Sequence, residues 1–159
     1  MKNIIRQGIS FFLPIKVLIL IPLVLEKDFI LRSPLFLSIG IITISAGLFL
    51  IVKSITDIKT KGDGTLAPWS PTKKLVVTGL YRYVRNPMIV GVFIALIGES
   101  ICTESKKIFI WAIIFFIINN IFFFFFEEPN LAKNFGEEYR KYKNEVPRWI
   151  PKFNPRKTQ

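Results

Sequence analysis

The sequence contains no histidine and a single cysteine, Cys102. One thiol excludes an intrachain disulfide. Without imidazole, and with one sulfur ligand at most, no transition-metal site is expected. Acid–base work falls to Glu, Asp, Lys, Tyr or backbone groups. Acidic residues are scarce: 11 Asp and Glu stand against 22 Lys and Arg, a net charge of +11. In a water-soluble chain that excess points to nucleic acid. Here the basic residues lie between and after long apolar runs, so anionic headgroups of a cytoplasmic leaflet are the expected partner and nucleic acid is not.

Apolar residues are abundant, at 51% of 159, and mean hydropathy is +0.43. They gather into four runs, at about 9–25, 35–52, 88–101 and 108–126. A membrane span takes roughly 20 residues, with tolerance down to about 17. The third run is short, and the brief link at 102–107 predicts a tight hairpin with the fourth. Lys2 and Arg6 precede the first run as in a signal peptide, but Pro22 and Glu26 stand where a small-x-small cleavage site belongs. A retained helix is expected. Seventeen of the 22 basic residues fall before the first run, between the second and third, or after the fourth. Four spans with both termini cytoplasmic put all of these on one face. The tail at 130–146 carries Leu131, Phe135, Tyr139, Tyr142 and Val146 on one helical face with basic residues around it, the pattern of an interfacial helix. The expected fold is therefore an all-α integral membrane protein of about four transmembrane helices, with a C-terminal interfacial amphipathic helix. It forms one domain over 1–159, in the cell inner membrane if the source is prokaryotic.

Several residues could carry chemistry. Asn86-Pro87 is a helix start in its own right, with Asn as N-cap and Pro at the first position. The same helix end, with Arg85 alongside, can also receive a carboxylate or phosphate. Glu127 and Glu128 close the fourth run, where acids oppose the helix dipole. Either they pair with Arg82, Arg85 or tail lysines, or they bind a cation, ligand hydroxyls or a proton. Asn120, Phe124 and Glu127 share one helical face by spacing, fit for a pocket wall or an interhelical hydrogen bond. Asn119 allows the same two readings. Glu99 is expected as a solvated or paired acid. Gly91 and Gly98, seven apart, predict a close-packed face. Tyr81 and Tyr83 suit the aromatic belt or a cation–π contact.

The stretch GDGTLAPWSPTKKLVVTGLYRYVRNPM, followed by an apolar hairpin and FFEEPNLAKNFGEEYRKYKNEVPRWIP, resembles the isoprenylcysteine carboxyl methyltransferase and phospholipid methyltransferase superfamily. The resemblance covers roughly 62–151. Its paired signature is an R-[HN]-P element and a later E-E pair followed by G-x-x-Y-x-x-Y. It implies S-adenosylmethionine as methyl donor, held on the cytosolic side in the region 53–159, with the two spans of 1–52 standing outside the signature. Matching positions are Tyr81, Arg85, Asn86 and Pro87 from the first element and Glu127, Glu128, Tyr139 and Tyr142 from the second, with Asn120 added from the helical face above. The family often has His where this chain has Asn86, and Tyr where it has Ile89. Arg85, Glu127 and Glu128 are the expected catalytic residues, acting on a lipid or lipidated acceptor such as an isoprenylcysteine-like carboxylate or a phospholipid amine. Two other readings remain: an NADPH-dependent membrane reductase of the sterol reductase type, and a non-enzymatic lipid-binding membrane protein.

Overall fold

The structure is a computed structural model that describes residues 16–26, 33–62 and 74–152. The described residues are helical and contain no strand. Helix α1 covers Lys16–Leu25, a π-helical turn followed by an α-helical one. The rest of the first apolar run, at 9–15, lies outside the described residues, as do Gly64, Pro68, Pro71, Lys27 and Arg32. Helix α2 spans Pro34–Lys61, α3 Pro87–Thr103 and α4 Lys106–Phe122. A π-turn, Phe123–Glu127, leads directly into α5, Glu128–Glu145.

Helix α2 reaches nine residues beyond the expected end of the second run, so Lys53 to Lys61 are helical and not part of the inner loop. The extension tolerates polar groups because Thr56 and Thr60 donate to carbonyls four residues earlier, at 2.9 and 2.8 Å. Among the described residues, two continuous helical stretches are long and apolar enough to cross a membrane: Pro34–Lys61, with hydropathy 2.6, and Lys106–Glu145, with hydropathy 2.5. Lys16–Leu25 and Pro87–Thr103 are apolar but shorter. Large side chains such as Ile42, Phe49, Ile110 and Ile118 are half or more exposed on the outer faces of α2 and α4. A surface of that kind belongs in hydrocarbon rather than in water.

Helices α2 and α3 pack antiparallel through small residues. A Cβ on Gly47 would lie 2.6 Å from the Gly91 carbonyl oxygen and 2.7 Å from the Ala95 nitrogen. One on Gly98 would lie 2.7 Å from the Ile44 nitrogen, and one on Gly40 2.7 Å from the Gly98 carbonyl oxygen. The face predicted from Gly91 and Gly98 is thus matched by Gly40 and Gly47, also seven apart. Close backbone approach replaces the hydrophobic drive that is missing between helices in lipid. Around it Ile51, Val92, Leu96, Ala112 and Phe115 form the core.

Helices α3 and α4 are joined by two residues, Glu104 and Ser105. Glu104 takes a left-handed conformation with φ 49°, and Ser105 N–H returns to the Ser100 carbonyl at 3.1 Å, the closing pattern of a helix end. The Ser105 hydroxyl donates to Glu26 at 2.6 Å and accepts from Ile108 N–H at 3.4 Å, tying α1 to the hairpin. Gly47→Val and Gly98→Val are expected to cost about 1–3 kcal/mol or more by overpacking. Ala46→Val, on the exposed side of α2, serves as the control. Thermal unfolding midpoints in detergent check this: equal midpoints for Gly47→Val and Ala46→Val would refute the glycine contact.

Candidate functional site

Helix α3 starts at Pro87, as the sequence predicted, but Asn86 gives it no side-chain cap. Only the Asn86 carbonyl is used, accepting from Val90 N–H at 3.2 Å. The helix start is fixed by proline, and the Asn86 side chain makes no hydrogen bond among the described residues. Ahead of it, Gly79–Arg82 forms a 3-10 turn that carries the chain through Tyr83 and Val84 to Arg85.

Arg85 meets Glu128 at 2.9 Å (Nη1 to Oε1), and the same nitrogen donates to the Tyr139 hydroxyl at 3.3 Å. The side chains of Arg85 and Glu128 are 10% and 5% exposed, which makes this a buried pair. Glu128 also receives Arg148 Nε at 2.6 Å and has Lys143 Nζ 2.8 Å from its second oxygen. One carboxylate is thus shared by two guanidinium groups and an ammonium. Burial pushes the Glu128 carboxyl up. The hydrogen bonds from Arg148 and Lys143, with the charges of Arg85 and Arg148, outweigh burial and leave it below the usual carboxylate range. Tyr139 is pushed up, first by burial and then by the Glu128 charge, with Arg85 pulling the other way. Burial also raises Tyr81, and Tyr142 and Asp57 add to the effect.

The spacing argument chose the wrong glutamate for this contact. Regular helical spacing groups Asn120, Phe124 and Glu127, but the chain between Phe123 and Glu127 is a π-turn, in which Glu128 N–H bonds the Phe123 carbonyl. A wider turn delays the next residue on a face by one position, so the shared face becomes Asn120, Phe124 and Glu128. Arg148 runs along it, donating to the Asn120 side-chain oxygen at 2.9 Å and lying 5.6 Å over the Phe124 ring. Glu127, half-buried, forms no ion pair or hydrogen bond with a described residue. Asn119 donates back to the Phe115 carbonyl at 2.8 Å, within its own helix.

Residues 146–152 form a strap that closes the cluster. Arg85 N–H donates to the Pro147 carbonyl at 2.9 Å, and Lys152 N–H to the Tyr83 carbonyl at 3.0 Å. Trp149 donates to Asn120 at 3.3 Å and packs on the Phe116 and Phe123 rings at 5.0 and 5.7 Å. Lys143 is one of the tail lysines expected as partners of the two acids in the ion-pair reading. Sequence reasoning missed Arg148 and Trp149 as site residues, and it counted Arg148 only toward topology, although the aromatic-basic element Pro147-Arg148-Trp149 was the available signal.

The apolar face of α5 is present, but the protein itself covers it. Tyr139, Tyr142 and Val146 are buried with Leu75, Val77, Leu131 and Phe135 around them, and the Tyr142 hydroxyl donates to the Tyr81 carbonyl at 2.7 Å. The helix also breaks at Gly136, whose φ of 52° and ψ of −127° interrupt the regular turn. A cavity of about 350 Å³ adjoins this satellite core, lined by Lys61, Lys74, Val76, Thr78, Phe135 and Glu138 among others. Arg85, Glu127 and Glu128 do not line it; Arg85 and Glu128 lie in the ion-paired cluster instead, and Glu127 belongs to neither. Glu99, at the other end of α3, departs from the expected solvated or paired acid: one carboxyl oxygen is buried with no hydrogen-bond partner.

These geometries separate the two adjacent acids. Glu128→Gln leaves Arg85 and Arg148 facing each other without their shared anion, an expected loss of about 3–5 kcal/mol. Glu127→Gln removes no partner and is expected to change stability by less than about 0.5 kcal/mol. The folded-state value of Glu128 is depressed, so its stabilisation is complete above the unfolded value of about 4.3 and is lost as pH falls through the lower folded value. Thermal midpoints measured from pH 7 down to 3 are expected to fall below about pH 4 in the wild type, with a flatter acid limb in Glu128→Gln. Identical midpoints for Glu127→Gln and Glu128→Gln at pH 7 would contradict the division.

Residues 35–138 match the phospholipid methyltransferase family. The chain is also similar to human protein-S-isoprenylcysteine O-methyltransferase, at 34% identity over 88 residues, 52% of this chain and 29% of that protein. The Schizosaccharomyces pombe enzyme of the same name is 35% identical over 83 residues, 48% of this chain and 33% of that protein. The match thus spans about a third of the length of these relatives. The family match takes in Tyr81, Arg85, Asn86, Pro87, Asn120, Glu127 and Glu128, and ends just before Tyr139. With the two membrane-length helices and the cluster that joins the start of α3 to the end of α4, this match places the chain in the phospholipid methyltransferase family.

Proposed function

We propose that the protein transfers a methyl group from S-adenosylmethionine to a lipid or lipidated acceptor, at the cytoplasmic membrane face where α3 begins and α4 ends. The observation that carries this reading is the buried Arg85–Glu128 pair at 2.9 Å, which brings the two family elements together at one point. In the proposed topology α1 to α4 cross the membrane with both chain ends on the cytoplasmic side, and α5 lies along the inner surface. The basic residues flanking these helices support that orientation.

S-adenosylmethionine, when bound, supplies a methyl group on a sulfonium, open to in-line displacement. Such a reaction depends on alignment and on exclusion of water, and the residues present suit both needs. Arg85 keeps a buried Nε–H with no hydrogen-bond partner, a donor suited to the carboxylate of an amino-acid moiety. Glu127, without a partner among the described residues, is available to an ammonium or to ribose hydroxyls, and it can take a proton from an amine acceptor. The Asn86 amide is also unspent and can serve as a further hydrogen-bonding group. Tyr81, Pro87, Tyr139 and Tyr142 form the walls, while Asn120 and Glu128 hold Arg148 and Arg85 in place. The cluster satisfies itself, so ligand binding exchanges some Arg148 or Lys143 contacts for ligand contacts. The acceptor is an isoprenylcysteine-type carboxylate or a phospholipid amine, reaching the same point from the bilayer.

Methyl-labelled S-adenosylmethionine supplied to membranes holding the protein tests this reading. Label is expected in an organic-soluble fraction: base-labile if the acceptor is a carboxylate, base-stable if it is an amine. Glu127→Gln and Arg85→Ala are expected to lower transfer at least about tenfold, as loss of a charge-assisted contact does. No transfer above the Glu127→Gln background in the lipid, prenylated-peptide and small-molecule fractions would refute the assignment.

A further inference from the structure

Asp57 is an acid that none of the roles above uses. It lies in the last turns of α2 and is 2% exposed. Lys53, one helical turn earlier, reaches it at 3.2 Å. Its other oxygen accepts the Leu80 N–H at 3.2 Å. Leu80 is in the first turn of the 3-10 segment Gly79–Arg82, and Thr78, the residue placed to cap that segment, makes no capping bond. The missing cap thus comes from another helix, where a carboxylate suits the positive end of the turn.

Gly79 makes this approach possible. Its φ is +61°, and a Cβ there would collide with the nearer Asp57 oxygen and lie 2.6 Å from its carboxyl carbon. An L side chain at this position meets both backbone strain and collision with a group buried in α2. Asp57 and Gly79 therefore fit as a pair. The segment they hold is anchored further along by Tyr142, which donates to the Tyr81 carbonyl, and by the strap at Tyr83 and Arg85. Its last residue delivers the Arg85 guanidinium to Glu128.

We infer that Asp57 is a positioning residue for the donor site: its carboxylate, seated under Gly79, sets the height and register of the 79–85 segment and so the place of Arg85. This rests on the function proposed above, in which Arg85 contacts the methyl donor. Asp57 reaches no ligand itself. It acts from α2, within the family match at 35–138 but ahead of the motif-bearing stretch at 62–151, and couples the glycine-packed helix pair to the site.

The test uses the full chain in detergent micelles, with S-adenosylmethionine as the varied substrate. Asp57→Ala is expected to raise the donor KM about tenfold with a smaller change in kcat. Asp57→Asn, which keeps an acceptor for Leu80 N–H, is expected to return KM to within about threefold of wild type. Gly79→Ala is expected to raise KM in the wild type, and to raise it less in the Asp57→Ala background, where the colliding oxygen is gone. Hydrogen exchange provides a readout that does not need turnover: Asp57→Ala is expected to expose the amides from Leu80 to Arg85 while Val92 and Leu96 in α3 keep their protection. Unchanged exchange at Leu80 to Arg85 would overturn the inference. So would an unchanged donor KM in an active Asp57→Ala protein, or additive effects of the two substitutions. A wild type that transfers no methyl group but shows the exchange difference would sink the proposed function and leave the positioning role standing. If Asp57→Ala does not fold, Asp57→Asn and Gly79→Ala carry the kinetic comparison, and a normal KM in Gly79→Ala overturns it.

Discussion

A carboxylate withdrawn from water is costly unless cations meet it, and Glu128 is met by three. Arg85 arrives from the start of α3, Lys143 from α5, and Arg148 from the strap beyond it. Each of these segments could take other paths along a membrane surface. The shared anion gives them one meeting point, and the burial of Arg85 and Glu128 means that this pair cannot part without stranding a charge. The aromatic contacts of Trp149 and the Asn120 bridge then follow from where Arg148 has been placed. The end of the protein where α3 begins is ordered by this electrostatic knot, the middle by close helix packing.

These two kinds of order are connected. In hydrocarbon, helices gain little from burying apolar side chains, and contact distance becomes the main resource. Gly40, Gly47, Gly91 and Gly98 bring α2 and α3 to backbone contact. Because that contact fixes how α2 lies against α3, it also fixes where the polar extension of α2 emerges. Asp57 is therefore delivered beneath Gly79 by packing that begins near the opposite end of the pair.

Much of this was legible in the sequence, and the parts that were not share a cause. The apolar runs and the proline at position 87 located the helices because hydrophobicity and proline stereochemistry act locally. Gly91 and Gly98 announced a packing face, but their partners Gly40 and Gly47 emerge only when two helices are set side by side. Arg85 and Glu128 were identified as belonging to one site, with an ion pair as one of two readings; which of the two acids pairs depends on a π-turn, which no periodicity shows. Arg148 read as one more cytoplasmic cation, since its importance lies in what it reaches across 20 residues to Glu128. The amphipathic face of α5 was correctly drawn, yet its apolar side meets Leu75 and Val77. A helical stripe states that something apolar will cover it and is silent on whether that is lipid or protein.

The π-turn explains how two neighbouring acids of identical chemistry acquire different work. In an uninterrupted α-helix the face that carries Asn120 and Phe124 would next present Glu127, and Glu128 would point about 100° away. Widening one turn moves Glu128 onto that face and into the cations, while Glu127 is left without a partner among the described residues. Pro129 follows at once and has no N–H to offer, so a regular ladder could not have continued through this point in any case. The irregularity thus falls where helical bonding is already weakest. It separates a structural carboxylate from a free one at a single step of the chain. In the proposed function two groups are offered to the donor: Arg85, held by Glu128, for its carboxylate, and Glu127, which pairs with no described residue, for its ammonium.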